Sequence, residues 1–321
     1  MPKVAITDYT FSSLDIESAI LEPLGVEVVS WQEKRTAAEL PQLVADAEYI
    51  ITQFAPLTAD VIASLTRAKV IVRYGIGVDN VDLEAARVKR IPVCNVPDYC
   101  IPEVADQTLA FILAATRSVT ANSSAVHDGR WGLAVPLDQM RTLRDLQVGV
   151  VGFGRIGRAV VQRLLAFGCQ VLVHDPVVSA HQIESAGCVS CGLDELLATA
   201  DIVTLHCPST SSTRGMINRE SLARMKRGVI LVNVARGDLI DTAALVDALR
   251  EKRVSVAALD VFAPEPLPAG HPLLGLDNAI LAAHIASTSV RAVRTLRETA
   301  AGIVAKAIRG EPLPNIVNGV S

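Results

Sequence analysis

The stretch Val148–Pro176, VGVVGFGRIGRAVVQRLLAFGCQVLVHDP, constrains this chain more than any other part of it. A run of β-branched apolar residues leads into glycines at Gly152, Gly154 and Gly157. Helical spacing of Ile156, Val160, Val161, Leu164 and Leu165 follows, and a second apolar run closes on Asp175. The pattern predicts strand, tight turn, helix and strand in succession. Each glycine has its own role in a dinucleotide site. Gly152 permits the sharp turn, Gly154 lets backbone approach a pyrophosphate, and Gly157 lets the helix lie close to the strand. The free N–H groups where the helix opens then face the phosphates, and the helix dipole favours negative charge there. Asp175 stands near the ~20-residue offset expected of the carboxylate that accepts hydrogen bonds from the adenosine ribose. An anion there repels a 2′-phosphate, and neither Pro176 nor Val177 supplies a cation to hold one. The expected cofactor is therefore NAD rather than NADP.

At 321 residues, half of them hydrophobic, the chain is long enough for two domains. A net charge of -4 with no long Lys/Arg block argues against nucleic acid as a partner. The longest apolar runs, such as Leu109–Ala115, fall short of the ~20 residues that cross a bilayer. The chain opens directly into a strand pattern with no basic and apolar leader, so a cytoplasmic protein is expected, with no membrane partner. The cysteines Cys94, Cys100, Cys169, Cys188, Cys191 and Cys207 are scattered, most of them in apolar runs where a reduced thiol acts as a small hydrophobe. Cys188 and Cys191 form a CxxC, but a structural zinc needs two more ligands at matching spacing, and only His206 and Cys207 lie nearby downstream. No metal is expected.

Residues 1 to about 97 alternate strand-like runs (Val4–Asp8, Val26–Trp31, Tyr49–Phe54, Val70–Arg73, Pro92–Val96) with helical ones near 13–24, 37–45, 58–65 and 80–89. Strict alternation implies a parallel sheet covered on both faces. A helix is expected over Ile101–Arg117 and a second to about Gly129, with Trp131 just beyond. The alternation resumes with strands near 147–151, 170–174, 201–206, 229–234, 256–260 and 279–283. From Val290 a helical run is followed by the turn-rich EPLPNIVNGV, which is expected to return to the first domain. The fold class is thus α/β with two domains, residues 101–288 forming a nucleotide-binding domain inserted into a domain built from 1–100 and 289–321. Two chain crossings would make a hinge, with the cleft between domains as the natural ligand site.

Three short runs each end a strand of the second domain. Val232–Gly237 puts Arg236 just past a buried strand, with Ala235 before it. Ala258–Pro266 puts Asp260 at a strand end and Glu265 in the loop beyond, and Ala282–Ser287 puts His284 at the end of a third. Ligands of open α/β sheets bind outside the carboxyl ends of the strands, so all three are expected at the nicotinamide end of the cofactor.

This constellation resembles the D-isomer-specific 2-hydroxyacid dehydrogenase family. Its RxGxGxDNVD run appears as Arg73-Tyr-Gly-Ile-Gly-Val-Asp-Asn-Val-Asp82 and its NVP run as Asn95-Val-Pro97, and the GxGxxG, ARG, D-V-x-x-x-E-P and His motifs are those quoted above. The wording is most similar to the branch holding phosphoglycerate dehydrogenases and the bacterial relatives of carboxyl-terminal-binding-protein corepressors. The resemblance implies a Rossmann NAD-binding domain and a flavodoxin-like substrate (lid) domain. It also implies hydride transfer between NAD(H) and a small D-2-hydroxy or 2-keto acid. His284 would be the general base, and Glu265 would fix its tautomer and raise its basicity. Arg236 would bind the substrate carboxylate and polarise the carbonyl oxygen. Backbone N–H groups of Tyr74, Gly75, Ile76 and Gly77 would hold the carboxylate, with Gln53 also at the substrate. Asp260 would take the nicotinamide carboxamide, with Ala235 and His284 also at the cofactor, and Arg155, Ile156, Cys207 and Pro208 would line the pyrophosphate and adenine region. Relatives dimerise through helices equivalent to Ile101–Gly129, so a homodimer is expected.

The chain departs from the family pattern at Ala283 and Ala286, where proline and glycine commonly flank the histidine, and at Asp145. In Thr52-Gln-Phe-Ala-Pro56, phosphoglycerate dehydrogenases typically carry Arg-Ser; Gln53 and Phe54 cannot neutralise a phosphate, which argues against a phosphorylated substrate. The alternative reading is an NAD(H)-sensing, corepressor-like binding protein; the absence of Ser/Pro-rich tails favours the enzyme.

Overall fold

The computed structural model describes residues 1–320, and the chain divides into two compact units: Met1–Tyr99 together with the segment from Ser289 onward, and Cys100–Thr288. The first holds β1 (Lys3–Ile6), β2 (Glu27–Ser30), β3 (Tyr49–Thr52), β4 (Val70–Arg73) and β5 (Val93–Cys94) in one parallel sheet of order β2-β1-β3-β4-β5. The central strands are apolar along their length, Tyr49–Thr52 being buried throughout, as a sheet covered on both faces requires. Its helices are α1 (Asp15–Leu21), α2 (Leu40–Val44), α3 (Ala59–Ser64) and α4 (Leu83–Val88). The expected strand Pro92–Val96 shrinks to two residues. Pro92 lacks a donor, Asn95 N–H turns to the Asn315 carbonyl (3.3 Å), and Val96 N–H turns to that of Gly75 (2.9 Å).

The second unit begins with α5 (Ile101–Thr116), which starts on a proline in its first turn and ends where Ser118 takes a left-handed φ of 47°, setting off α6 (Val119–His127). Then come β6 (Gln147–Val151), α7 (Arg155–Ala166), β7 (Gln170–His174), α8 (Ala180–Glu184), β8 (Val189–Ser190), α9 (Leu193–Thr199), β9 (Ile202–Leu205), α10 (Arg219–Arg224), β10 (Val229–Asn233), α11 (Thr242–Arg250), β11 (Val254–Leu259) and β12 (Ala279–Leu281). All seven strands are parallel, in the order β12-β11-β10-β9-β6-β7-β8. The order reverses between β6 and β9, the switch point at whose carboxyl ends a Rossmann sheet binds dinucleotides. β8 has no counterpart among the strands read from sequence, because two residues are too few to show a period. α5 packs across α7, β10 and β11 with Val104, Thr108, Phe111 and Ile112 buried.

The chain then rejoins the first unit. α12 (Val290–Arg309) is capped by the Ser289 hydroxyl, which accepts from Ala292 N–H at 2.9 Å, and ends on Gly310 at φ 70°. Its apolar stripe (Leu296, Ala300, Ala301, Val304) buries against α1 and β4.

Among the described residues no helix is long and apolar enough to cross a membrane, and no three His, Cys, Asp or Glu side chains gather as a metal would need. Cys188 of the CxxC is buried, and burial pushes its thiol up to about 11.

Candidate active site

The glycine turn after β6 is shaped by contacts that exclude side chains. Gly152 has φ +99°, and a Cβ there would lie 2.7 Å from the His206 carbonyl carbon; at Gly157 it would lie 2.1 Å from the Gly152 oxygen. Gly154, the N-cap of α7, instead faces open space, so a ligand can approach its backbone. Arg155 is exposed and Ile156 half-buried beside it. Asp175 closes the turn from β7: its Oδ2 accepts Phe153 N–H (2.7 Å), and its Oδ1 accepts Val177 and Val178 N–H (2.8 and 3.0 Å). Burial raises this carboxyl, but the three N–H donors outweigh it and the net shift is downward, so an anion persists there. Across the switch point, His206 N–H meets the Val151 carbonyl at 2.7 Å, setting Cys207 and Pro208 beside the turn. Burial pushes the His206 ring down to about 3, so it carries no charge toward that surface. A helix N-terminus over an open glycine, with a fixed carboxylate across from it, fits a dinucleotide.

A second cluster forms at the ends of β10, β11 and β12. His284 Nδ1 lies 2.8 Å from Glu265 Oε2, and the other Glu265 oxygen accepts Phe262 N–H at 2.7 Å. Partial burial raises the Glu265 carboxyl; the bonds from His284 and Phe262 and the charge of Arg236 outweigh that and bring it below its ordinary value. An ionised carboxylate only accepts, so Nδ1 is the donor of this bond. Arg236 reaches this corner because Asn233, fully buried at the end of β10, takes Ala235 N–H (3.0 Å) and donates to the Arg236 carbonyl (2.7 Å). A Cβ on Gly237 would strike the Phe262 carbonyl carbon at 2.0 Å, so the Arg236 turn and the Glu265 loop lie in direct contact.

Asp260 has a second task that sequence did not show. It is fully buried, and its two oxygens accept Ile285 and Ala286 N–H, both at 2.9 Å, while its carbonyl accepts His284 N–H at 2.8 Å. It therefore clamps the turn on which His284 holds a left-handed φ of 54°. Burial raises its carboxyl, with the Ala286 and Ile285 N–H groups opposing.

Among the residues expected at the substrate, Gln53 is a correction. It is 7% exposed, and its amide is paired with Thr10, accepting Thr10 N–H at 2.8 Å and donating to the Thr10 hydroxyl at 3.1 Å. The Tyr74–Gly77 set is corrected in part. Tyr74 N–H goes to the Thr52 carbonyl (2.8 Å) and Gly75 N–H to that of Arg73 (2.9 Å), leaving Ile76 and Gly77 as the donors for a ligand.

Residues 109–286 match the family model described as D-isomer specific 2-hydroxyacid dehydrogenase, NAD binding domain. The chain belongs to the D-isomer specific 2-hydroxyacid dehydrogenase family. It is 39% identical over 325 residues to a D-3-phosphoglycerate dehydrogenase of Methanocaldococcus jannaschii, covering 99% of this chain and 60% of that protein. To a hydroxypyruvate reductase of Blautia hydrogenotrophica it is 32% identical, covering 99% of this chain and 100% of that one. A solved D-lactate dehydrogenase from Aquifex aeolicus, complexed with NAD and lactic acid, superposes with a TM-score of 0.90 at 29% identity, covering 99% of this chain and all of that one. The chain spans about 60% of the length of the curated phosphoglycerate dehydrogenases it matches first. With the family's NAD-binding domain in place, the cofactor is NAD.

Sequence reasoning missed several residues that position this family's motifs here. Asn233 was legible as a polar residue ending the apolar run VILVN, and Gly237 as a glycine directly after Arg236. Asp8 had no local signal: it is 2% exposed and takes the N–H groups of Gln53, Phe54 and Ala55 from a turn some 45 residues away in sequence.

Proposed function

We propose that the protein is an NAD-dependent oxidoreductase interconverting a small D-2-hydroxy acid and its 2-keto acid. The reading rests on one observation, the 2.8 Å pairing of His284 Nδ1 with a Glu265 carboxylate itself fixed by Phe262 N–H, beside Arg236. Bound NAD supplies the acceptor, or as NADH the donor, of the hydride at substrate C2. His284 Nε2 takes the hydroxyl proton in oxidation and returns it in reduction. Glu265 keeps the ring in the tautomer that leaves Nε2 basic and stabilises the imidazolium once formed. Arg236 holds substrate oxygen with a planar, permanently charged fork, and Ile76 and Gly77 N–H take the carboxylate.

The 52–55 turn brings no cation of its own, so the substrate is proposed to carry no phosphate, although the Arg73 guanidinium lies against Gly75. The names of two relatives covered over nearly their whole length, a glyoxylate reductase and a hydroxypyruvate reductase, support a small substrate. The test is NADH oxidation with glyoxylate, hydroxypyruvate, pyruvate, phenylpyruvate, 2-ketoglutarate and phosphohydroxypyruvate. Turnover of a small unphosphorylated acid is expected. Bound NADH with no turnover on any acid would reject the proposal in favour of a sensor.

A cytoplasmic homodimer belongs to the same reading. None of the six cysteines is in a disulfide, and Trp131 (93% exposed), Leu137, Leu133, Val119 and Val126 leave apolar side chains exposed on α6 and the segment after it.

Asp175→Asn is expected to lower the preference for NAD over NADP about tenfold, by removing the charge that repels a 2′-phosphate. It should raise KM for NADH as well, because an amide cannot accept all three N–H bonds that now shape the turn. An unchanged ratio of kcat/KM values for the two cofactors would contradict this role.

A further inference from the structure

The first unit contains a buried ionic cluster that the proposed chemistry leaves unexplained. Glu17 on α1 is fully buried and Arg297 on α12 is 6% exposed. Arg297 donates through Nε and Nη2 to the Glu17 carboxylate (2.7–3.1 Å), and Nη2 also reaches the Ser13 carbonyl (2.7 Å) and Asp15 (2.9 Å). Its guanidinium lies 5.0 Å from the centroid of the Phe11 ring, which meets Tyr74 edge-on at 5.3 Å. Tyr74 Oη completes the cluster by donating to Glu17 Oε1 at 2.9 Å.

Stability is a poor explanation for such a group. Taking two charges out of water costs several kcal/mol per ion, and well-packed apolar side chains of the same volume commonly serve as well or better. What apolar packing cannot supply is a directed acceptor for the phenol. Burial, and then the Glu17 charge, raises Tyr74 well above the usual tyrosine range, so its proton stays on and its donor bond persists.

Tyr74 also directly follows β4 and opens the Tyr74–Gly77 loop. Its N–H is tied to the Thr52 carbonyl, Gly75 follows at φ +142°, and Asn95 holds the far side of the loop by donating to the Ile76 carbonyl at 2.6 Å. The peptide units that carry the Ile76 and Gly77 amides are thus held by Val96 N–H at the Gly75 carbonyl (2.9 Å) and by Asn95 at the Ile76 carbonyl, with Tyr74 anchoring the chain where it enters the loop. We propose that the Glu17–Arg297 pair, acting through the Tyr74 hydroxyl, is a positioning device that aims the Ile76 and Gly77 N–H groups at the substrate carboxylate. The inference rests on the oxidoreductase reading for the identity of the ligand, not for the coupling within the loop. Glu17, Tyr74 and Arg297 are positioning residues; none of them touches substrate.

The full-length Tyr74→Phe variant tests this, because it removes one oxygen and leaves the ring packed on Phe11 and the ion pair intact. In the ligand-free protein, hydrogen exchange of the bonded Tyr74 and Gly75 amides and of Val96 N–H, which holds the Gly75 carbonyl, should quicken about tenfold, with exchange in β1 unchanged. KM for the 2-keto acid should rise about tenfold, with a smaller change in kcat and in KM for NADH, as loss of ground-state positioning predicts. Wild-type exchange at Tyr74, Gly75 and Val96 together with wild-type KM would overturn the proposal. A wild-type enzyme that reduces no 2-keto acid would sink the oxidoreductase reading alone, and the exchange measurement would still decide the coupling.

Discussion

His284→Asn is expected to lower NADH-dependent reduction of the 2-keto acid by about 10²–10⁴-fold in kcat, the range associated with loss of a general acid–base group. Asparagine is the informative replacement because position 284 sits at φ 54°, a left-handed conformation that asparagine adopts more readily than alanine. The Asp260 clamp on Ile285 and Ala286 stays in place, so the turn is kept and only the titrating ring is lost. NADH affinity, followed by its fluorescence, should change little, because the glycine turn and Asp175 are untouched. A variant that keeps wild-type kcat would remove His284 from the mechanism.

Arg236→Lys should lower kcat/KM for the 2-keto acid by about 10²-fold while leaving NADH binding near wild type. The change keeps the positive charge and discards the planar fork, so a large loss would identify two-pronged recognition rather than charge as the contribution. Charge-assisted hydrogen bonds contribute about 1.5–3 kcal/mol each, which is enough for that effect. The turn keeps the Asn233 bonds to the Ala235 N–H and the Arg236 carbonyl, while the guanidinium's own bond to the Ala235 carbonyl (2.6 Å) has to be remade by the ammonium. Steady-state kinetics at saturating NADH gives the answer. Equal kcat/KM for lysine and arginine would reject the bidentate role.

Much of the architecture was legible before any coordinates. Runs such as VGVVGFGRIG and VILVNVARG carry their own local physics: β-branched strands buried on both faces, glycines where a Cβ would collide, a polar residue where the buried run ends. Boundaries were less legible wherever a long-range partner decided them. The strand expected over Pro92–Val96 is cut short by Asn315 and Gly75, and β8 exists only because Leu172 and Val173 offer it an edge.

The site residues divide in the same way. His284, Glu265 and Arg236 could be picked out by type and position at strand ends. What each is bonded to could not: the expectation for Gln53 gave way there, and the clamping bonds of Asp260 went unseen. An amide or carboxylate near a site looks the same in sequence whether it faces a ligand or a backbone. Gln53 is turned inward onto Thr10, and Asp260 holds two N–H groups beneath the histidine turn.

Sequence alone determined the elements, their parallel arrangement, the dinucleotide turn and the family, because those follow from periodicity, glycine geometry and motif order within short windows. Tertiary structure alone decided which polar groups remain available for chemistry. Hydrogen-bond partners such as Asp8 with the 53–55 turn, or Glu17 with Arg297, are far apart in the chain and become neighbours only when the sheets and helices pack.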